Sequence, residues 1–423
     1  MTIPHFIYLH GFASSPSSGK ALFFKQKLAG WGIALYIPDL NTPDFSTLTL
    51  TSMIDRLNEV VQECGDGRVY IIASSLGSMV ALHFLDRFKS NASRVEKMMF
   101  LAPSFDFART YQRKLSDEEL ARWKSTGWLG IHHYSFDKQF RVHYGLIEDA
   151  LKYDSYAVRF EQPLLIFHGL RDEEVDDKQS LAFAEGRKNV TVSLLDSDHL
   201  LQDQLNLIWA TAVDYFDLCA IHSSKSNIRV QILDLSKSED VDRFAQYEER
   251  FLDVLEEAYT DRFFAREVHI ERIYSEKHVV FLAFVEGTAT SDLIGCSYIR
   301  PDGKRSATAV SPNFQGRGIA KELVCASLRV FPDQFSEIYP SNERMRNLLA
   351  SFGFHPVTSE AKLRAYLGRA SLLIRSVHNQ SGGVVYKRQS ATHQDIEHEF
   401  ILLEHPANRA LRGRANWEAA SNV

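Results

Sequence analysis

In the first half of the chain, short apolar runs alternate with amphipathic stretches of helical period. The apolar runs, which predict buried strands, are residues 6–9, 34–37, 69–73, 98–101, 164–167 and 190–195. The amphipathic stretches, which predict helices, are residues 20–29, 51–64, 76–88, 178–186 and 203–216. This alternation is typical of a mainly parallel sheet covered by helices on both faces, so the predicted fold class is α/β.

One interval, residues 104–156, interrupts the alternation directly after a strand. It is long, aromatic and rich in polar residues. Because ligands of open α/β sheets bind at the carboxyl edge of the strands, we interpret this interval as a lid inserted over that edge.

The pattern changes after the polar, serine-rich residues 222–227, which we interpret as a linker. Further strands are predicted at residues 228–233, 279–285, 294–299, 306–310 and 336–339. Three helices are predicted: one at residues 239–259, one that follows a glycine-rich turn after strand 306–310, and one that begins at Asn342. These elements predict a second unit of α+β class, and residues 368–423 are expected to form one or two strands and then a loose tail. The predicted domains are residues 1–221, residues 228–375 and a C-terminal extension, residues 376–423.

Composition narrows the class of protein. A length of 423 residues favours two or three domains, and 45% apolar with 24% charged residues is ordinary for a globular protein. The net charge of −6 argues against a nucleic-acid partner, and the four dispersed cysteines have no zinc spacing and fit a reducing compartment. Since there is no secretory pattern and no apolar run long enough to span a bilayer, we expect a cytoplasmic protein without a metal.

The segment Ala73-Ser74-Ser75-Leu76-Gly77 lies between a predicted strand and a predicted helix. This small-x-Ser-x-Gly pattern indicates a strained corner that exposes one serine hydroxyl. The register of the turn favours Ser75 over Ser74 as that serine. Alanine at the first position, where glycine is usual, is a mild departure.

A serine hydroxyl needs an imidazole base, and the imidazole needs an acceptor that fixes its tautomer. Asp172 follows the predicted strand 164–167 and His199 follows the predicted strand 190–195, so both lie at the same sheet edge as Ser75. The order serine, acid, histidine is that of a strand-elbow serine enzyme.

Other interpretations of these loops remain open. Asp172 could instead cap the next helix, and Asp176 is a rival acid. His199 could lack a catalytic role, and Asp198 is expected to face solvent. Two further histidines at strand ends, His10 and His168, are expected to shape their loops.

An oxyanion also needs hydrogen-bond donors. We predict the backbone N–H of Leu76, at the start of the helix, and the backbone N–H of Phe12, in the loop after the first strand. In the lid, His132 and His133 are adjacent and point in different directions, so packing or substrate contact is favoured over metal binding.

The Leu9-His10-Gly11-Phe12 opening and the Ser74-Ser75-Leu76-Gly77 elbow resemble those of the α/β-hydrolase superfamily, in particular the small bacterial esterases of the YqiA/UPF0227 type. The resemblance covers the N-terminal half of the chain. It implies Ser75 as nucleophile, Asp172 as acid and His199 as base, with a small-molecule ester or thioester as substrate.

In the second half, Gln315-Gly316-Arg317-Gly318-Ile319-Ala320, called the cradle loop below, precedes a predicted helix. Free N–H groups at a helix N-terminus attract anions. Gly316 and Gly318 leave room for a pyrophosphate, Ala320 keeps the first turn narrow, and Arg317 adds positive charge. The loop fits neither a P-loop nor a dinucleotide-binding fingerprint.

The cradle loop is similar to the Gln/Arg-x-x-Gly-x-Gly/Ala motif of the GNAT N-acetyltransferase superfamily. Asn342, followed by an amphipathic stretch that ends in Gly353-Phe354, is similar to the second cofactor motif of that family. The resemblance covers about residues 228–375 and implies acetyl-CoA as acyl donor, bound by the cradle loop and Asn342.

Two departures concern the acid and base of acetyl transfer. Where many GNAT members have a tyrosine shortly before Gly-Phe, this chain has Phe352, and residues 307–310 contain no glutamate. Tyr298, Tyr339 or Glu343 could substitute.

The sequence therefore predicts an α/β-hydrolase with an inserted lid, fused to an α+β GNAT acyl-CoA-binding domain. The predicted activities are ester or thioester hydrolysis and acetyl-CoA-dependent acetylation of an unidentified amine. Two alternatives remain: a hydrolase regulated by a non-catalytic acyl-CoA-sensing domain, and a non-enzymatic two-domain scaffold.

Overall fold

The six apolar runs of the first half form one sheet in the structure, a computed structural model that describes residues 3–259, 266–285, 292–357, 377–378, 384–389 and 397–405. The chain divides into two units between Ile208 and Trp209. The predicted domain boundaries remain predictions, and residues 358–376 with the tail after residue 405 lie outside the described residues.

The first unit contains eight strands, nine α-helices and one short 3-10 helix, Gln202–Gln204, among the described residues. The strands are β1 (His5–Leu9), β2 (Leu35–Tyr36), β3 (Val69–Ser74), β4 (Val95–Leu101), β5 (Trp128–His133), β6 (Lys138–His143), β7 (Leu164–Gly169) and β8 (Val190–Leu195). The helices are α1 (Gly19–Ala29), α2 (Leu50–Glu63), α3 (Leu76–Arg87), α4 (Lys89–Ala92), α5 (Phe107–Arg113), α6 (Asp117–Thr126), α7 (Gly145–Ala150), α8 (Lys178–Ala184) and α9 (Leu205–Tyr215), and the division between the units falls within α9.

Six of these strands form an all-parallel sheet in the order β2-β1-β3-β4-β7-β8. β1 pairs with β3 in the register Leu9↔Ala73, so the two strands end side by side. The connections leave β1 and β3 in opposite directions across the sheet, which opens a crevice at their carboxyl ends. Helices α2 and α3 bury their apolar positions against the sheet, with Leu57, Val61 and Met79 in one core.

The segment predicted to be a lid lies between β4 and β7 and contains α5, α6, the β5–β6 hairpin and α7. The hairpin is a separate antiparallel sheet, paired from Trp128↔His143 to His133↔Lys138. Its tip bonds to the loop after β1, where Tyr134 N donates to Ala13 O at 3.0 Å. The inserted segment is therefore anchored at the carboxyl edge of the parallel sheet.

The second unit contains nine strands, six α-helices and one short 3-10 helix, Pro312–Phe314, among its described residues. The helices are α10 (Leu218–Ser223), α11 (Ser238–Ala245), α12 (Glu248–Ala258), α13 (Arg266–Ser275), α14 (Ile319–Val330) and α15 (Glu343–Ser351). The strands are β9 (Ile228–Asp234), β10 (Val279–Val285), β11 (Leu293–Ile299), β12 (Lys304–Val310), β13 (Phe335–Ile338), β14 (His355–Pro356), β15 (Val377–His378), β16 (Val384–Gln389) and β17 (Glu397–Glu404).

Its mixed sheet has the order β15-β16-β17-β13-β12-β11-β10-β9, and β14 pairs with β17. Strands β9 to β12 are antiparallel neighbours, whereas β12 and β13 are parallel. One face packs against α14 through Ile319, Leu323 and Ala326. The other face packs against α11 and α12, through residues such as Phe244 and Phe251.

The helix predicted at 239–259 is two helices, α11 and α12. The break is a tight turn in which Tyr247 N donates to Phe244 O at 2.8 Å. The ring centroids of Phe244 and Phe251 nevertheless lie 5.1 Å apart in the same core. The apolar period continues across the break, so the pattern does not reveal it. Within the described residues, none of the helices combines the length and the apolarity needed to cross a membrane.

Candidate functional site

Ser75 occupies the corner between β3 and α3 with φ 51° and ψ −120°, a conformation that is strained for a residue with a side chain. Its backbone N donates to Leu101 O at 3.1 Å, which fixes the corner to β4. A Cβ at Gly77 would lie 2.6 Å from Leu9 O and 2.9 Å from His10 O. Helix α3 can therefore turn back over β1 only because residue 77 is glycine.

The two serines of the elbow have different surroundings. The Ser74 side chain is buried and hydrogen-bonded to the Tyr8 hydroxyl. Ser75 is half-buried and lies on the corner itself. These positions favour Ser75 as the reactive hydroxyl.

Asp172 and His199, which lie in two different loops, meet at the carboxyl edge of the sheet. Asp172 Oδ2 lies 2.7 Å from His199 Nδ1, and the carboxylate is fully buried. Asp172 Oδ1 accepts hydrogen bonds from the backbone N–H groups of Glu174 and Val175, both at 2.8 Å. Asp172 therefore caps its own turn with one oxygen and faces the imidazole with the other.

The charge of Asp172 is stabilised at this site. Burial opposes ionisation, but hydrogen bonds from His168 and His199 outweigh it and hold the pKa of the Asp172 carboxyl below its usual value. An ionised Asp172 favours the His199 tautomer with the proton on Nδ1, which leaves Nε2 able to accept a proton.

The rival carboxylates bond to the backbone of their own turns. Asp176 Oδ1 accepts from Lys178 N at 3.0 Å, and Asp198 Oδ1 accepts from Leu200 N at 2.9 Å. These contacts favour Asp172 as the partner of His199.

The loops that carry Asp172 and His199 are held against each other by their backbones. Leu170 N donates to Leu195 O at 2.8 Å and Arg171 N donates to Ser197 O at 2.9 Å. A Cβ at Gly169 would overlap the carbonyl oxygens of Ser197 and Asp198. The close approach of the loops therefore requires glycine at residue 169.

Lys20, in the first turn of α1, is a site residue that the sequence analysis missed. Its Nζ donates to His199 O at 3.3 Å, and the residue is buried. Burial lowers the pKa of Lys20 to about 8, and the nearby carboxylates of Asp172 and Asp198 oppose this change only in part. A lysine among the buried positions of an amphipathic helix was the available signal.

The segments that carry the predicted oxyanion donors lie next to Ser75. A Cβ at Gly11 would lie 3.1 Å from Ser75 Cβ, so the loop after β1 approaches the serine closely. Phe12 follows, and its ring is held by Phe45, Phe107 and Tyr111, with centroids 5.7, 5.3 and 5.6 Å away.

Leu76 is the first residue of α3, where a backbone N–H has no partner within its own helix. In the part of the chain that the structure describes, no hydrogen bond joins Ser75 Oγ to His199.

His10 and the two adjacent histidines of the lid have different surroundings. His10 Nε2 accepts from Leu40 N at 3.0 Å, which supports the prediction that it shapes its loop. His133 is buried, with its ring 4.8 Å from Phe45, whereas His132 is exposed and 3.4 Å from Asp137. Among the described residues, no group of three or more histidine, cysteine or carboxylate side chains is arranged to hold a metal ion.

In the second unit, the cradle loop leads directly into α14. Gly316 and Gly318 have φ values of 78° and 83°, which favour glycine, and a Cβ at Gly316 would meet no atom within 4 Å. The Arg317 guanidinium lies 5.1 Å from the Phe314 ring centroid. The side chain of Gln315 reaches Val310 O at 3.4 Å.

The other predicted cofactor residues lie at the starts of α14 and α15. Ile319 is the first residue of α14 and is buried against the sheet, and Ala320 follows it in the first turn of that helix. Asn342 caps α15, because its side chain accepts from Met345 N at 3.1 Å.

Strands β12 and β13 pair only at Lys304↔Phe335 and Arg305↔Ser336. Beyond these pairs β12 continues to Val310, while β13 pairs with β17 on its other side. The two parallel strands therefore part toward their carboxyl ends, next to the cradle loop.

The candidate acids for acetyl transfer differ in exposure. Tyr298 is buried, its hydroxyl lies 3.2 Å from His269 Nδ1, and burial raises the pKa of its hydroxyl. Glu343 is exposed and lies 3.8 Å from Arg346. Tyr339 is half-buried at the end of β13.

Comparison with solved structures gives α/β-hydrolase proteins of low identity. Alpha/beta hydrolase domain-containing protein 10 from mouse is 21% identical, with TM-score 0.44, over 51% of this chain and 90% of that chain. A putative hydrolase from Agrobacterium vitis is 20% identical, with TM-score 0.42, over 58% and 87%. Est1E from Butyrivibrio proteoclasticus, solved with ferulic acid, is 19% identical, with TM-score 0.44, over 51% and 89%.

A search of curated proteins gives no match to the sequence. Residues 5–215 match the model of an uncharacterised protein family, UPF0227, and residues 243–354 match the model of the acetyltransferase (GNAT) family. With the all-parallel first sheet, the inserted segment and the mixed second sheet, these matches confirm the predicted fold class. The chain therefore joins a region that matches the model of the UPF0227 family to a region that matches the model of the acetyltransferase (GNAT) family.

Proposed function

We propose that the first unit is a serine hydrolase in which Ser75 attacks the carbonyl carbon of an ester or thioester. The observation that carries the proposal is the contact, 2.7 Å long, between the buried Asp172 carboxylate and the half-buried His199 imidazole, at the same sheet edge as the strained Ser75 corner. A buried carboxylate bonded to an imidazole is the arrangement that activates a weak nucleophile.

In the first step Ser75 Oγ bonds to the carbonyl carbon while its proton passes to His199 Nε2. The N–H groups of Phe12 and Leu76 stabilise the resulting oxyanion. His199 then gives the proton to the departing alkoxide or thiolate, which leaves an acyl group on Ser75. Water, deprotonated by His199, releases the acid and restores the serine. Asp172 stays ionised throughout and stabilises the imidazolium.

Labelling with a fluorophosphonate, followed by intact mass, tests this assignment. Wild type should gain one phosphonyl group, and Ser75→Ala should gain none. Ser74→Ala is the matched control and should label as wild type does, because Ser74 bonds to Tyr8. A phosphonyl group that persists in Ser75→Ala would refute the nucleophile. No labelling and no turnover of p-nitrophenyl acetate by wild type would favour the scaffold alternative.

We propose that the second unit binds acetyl-CoA, with the pyrophosphate at the cradle loop. The residues present fit this group: Gly316 faces open space, and the first N–H groups of α14 have no partner within their helix. Acetyl-CoA would supply an acetyl thioester. The parting of β12 from β13 is the observation that supports a slot for it beside the cradle loop.

Acetyl transfer to an amine is the activity we favour for this unit. A neutral amine can attack a thioester that is held in place. Positioning of the thioester by the slot and the cradle loop therefore supplies much of the rate enhancement. Phe352 has no hydroxyl that could protonate the leaving thiolate. Acyl-CoA sensing without transfer is therefore the second candidate function.

A charge change at Gly316 tests the cradle loop. Gly316→Asp should weaken acetyl-CoA binding by about 10-fold or more, because a carboxylate there repels the pyrophosphate. Gly316→Asn is the matched control, because asparagine has the shape of aspartate without its charge and also tolerates positive φ. This variant should lose less affinity for acetyl-CoA than Gly316→Asp. Calorimetry measures both affinities, and equal affinities would refute the site. Thiol release with a panel of amines then distinguishes transfer from sensing.

A further inference from the structure

We infer that His168 is a positioning residue of the proposed triad, which holds Asp172 Oδ2 toward His199. This inference rests on the proposed hydrolase function. His168 lies at the end of β7, four residues before Asp172, and its side chain is fully buried. Its Nε2 lies 3.1 Å from Asp172 Oδ2, the same oxygen that faces His199 Nδ1.

The neighbours of His168 determine which ring nitrogen carries the proton. Nε2 faces two acceptors, the Asp172 carboxylate and Val175 O, which is 2.9 Å away. Nδ1 lies 2.7 Å from Ser180 Oγ, which can donate. The proton therefore belongs on Nε2, and the Ser180 hydroxyl donates to Nδ1. In this tautomer every polar atom of the ring has a suitable partner.

His168 completes the shell of donors around Asp172. Oδ1 has the backbone N–H groups of Glu174 and Val175, and Oδ2 has His199 and His168. Three hydrogen bonds, from Glu174, Val175 and His199, fix the carboxylate, and the His168 Nε2 group, whose N–H is shared with Val175 O, lies 3.1 Å from Oδ2. Lys20 is the further charged group that acts on it electrostatically. His168 thus prevents Oδ2 from turning away from His199. Its N–H group also partly neutralises the carboxylate, which weakens the attraction between Asp172 and the His199 imidazolium.

Two amide substitutions separate this role from simple packing. The amide nitrogen of His168→Gln can occupy the place of Nε2 and keep the donor to Asp172. The shorter His168→Asn keeps a polar group near Ser180 and loses that donor. With p-nitrophenyl acetate, His168→Asn should reduce kcat by about 10- to 100-fold, the effect of one lost hydrogen bond to a buried charge. His168→Gln should retain most of kcat.

The pH profile is the readout that packing would not change. With one donor fewer, the Asp172 charge acts more strongly on the His199 imidazolium, so the acid limb of kcat/KM should move to higher pH in His168→Asn. In His168→Gln it should stay near the wild-type position. Rates are expressed per serine labelled by fluorophosphonate, which corrects for unfolded protein.

The outcomes are distinct. Equal loss in both variants with an unchanged acid limb would overturn the inference, as would wild-type kcat in His168→Asn. If His168→Asn does not fold, Ser180→Ala replaces it. That variant removes only the donor to Nδ1 and should shift the acid limb in the same direction by less; no shift would overturn the inference. Wild-type protein that neither labels nor turns over p-nitrophenyl acetate would refute the proposed function, and the inference with it.

Discussion

At Ser75 and Gly77, the backbone decides which side chains the site can have. Ser75 adopts φ 51° because the chain must leave β3 and enter α3 without a loop. The turn brings residue 77 against the carbonyl oxygens of Leu9 and His10, at 2.6 and 2.9 Å from a Cβ placed there. Since these oxygens belong to the backbone of β1 and the loop after it, neither can move without disturbing the sheet.

Gly77→Ala should therefore destabilise the first unit by about 1–3 kcal/mol and suppress labelling of Ser75. The added methyl group either displaces the end of β1, which carries the loop of Phe12, or tilts the start of α3, which carries Leu76. Urea denaturation gives the free energy of unfolding, and fluorophosphonate labelling gives the state of the site.

The control for this change is Gly130→Ala in the β5–β6 hairpin. There a Cβ would meet only the Gln139 side chain at 3.6 Å, an ordinary contact, so the free energy of unfolding should stay close to that of wild type. Normal stability and labelling in Gly77→Ala would contradict the steric argument.

The sequence predicts residues whose chemistry follows from local position, and it misses those that depend on tertiary contact. Ser75, Asp172 and His199 each follow a strand, so strand pattern and residue type predict them as candidates. Lys20 is far from these loops in sequence, yet its Nζ reaches His199 O at 3.3 Å. That contact depends on how α1 packs, and a pattern of apolar positions does not contain it.

At the scale of elements, burial explains which predictions agree with the structure. The central strand β3 is buried at every position, and its observed bounds, Val69–Ser74, differ from the predicted 69–73 by one residue. The β5–β6 hairpin was not predicted, because most of its positions are partly or fully exposed and its apolar pattern is weak. Helix α13 was missed for a similar reason, since Ile273 is its one fully buried residue among those described.

Helix α3 also carries a buried histidine whose titration affects stability. His83 Nε2 lies 3.2 Å from Ser155 Oγ, and its ring centroid is 4.9 Å from that of Tyr153. Burial lowers the pKa of His83 to about 4 from 6.5, and the carboxylates of Asp86 and Asp154 offset only part of this. The folded chain therefore keeps His83 neutral at pH values where the unfolded chain is already protonated.

As the pH falls from about 6.5 to about 4, the unfolded chain binds a proton at His83 that the folded chain does not bind. The free energy of unfolding should decrease over this window by on the order of 1–3 kcal/mol from this residue. His83→Gln keeps a partner for Ser155 and cannot be protonated, so its stability should fall less steeply with acid. Urea denaturation from pH 7 to pH 4 measures both slopes.

His132→Gln is the matched control, because that histidine is exposed. It should leave the slope of wild type unchanged. His278 and His405, whose pKa values burial also lowers to about 4, act in all three proteins, so the difference between slopes isolates His83. Identical slopes in wild type and His83→Gln would contradict the assignment.

For the whole molecule, the main question is whether the two units work independently. Each unit has its own sheet and core, and each proposed site is built from residues of one unit. Ser75, Asp172 and His199 belong to the first, and the cradle loop belongs to the second. The family matches, at residues 5–215 and 243–354, do not overlap either.

We therefore expect saturating acetyl-CoA to leave the binding of a boronic acid at Ser75 unchanged, and the boronic acid to leave acetyl-CoA binding unchanged. Coupling between two sites is a free energy that both ligands must report equally, so each titration checks the other. A change in one affinity, matched by the same factor in the other, would contradict independence and support the acyl-CoA-sensing alternative.

Ser75→Ala serves as the control, because it removes the boronic acid adduct while the cradle loop is intact. If acetyl-CoA affinity then stops responding to the boronic acid, the coupling passes through the serine adduct, and the second unit acts as a sensor for the first.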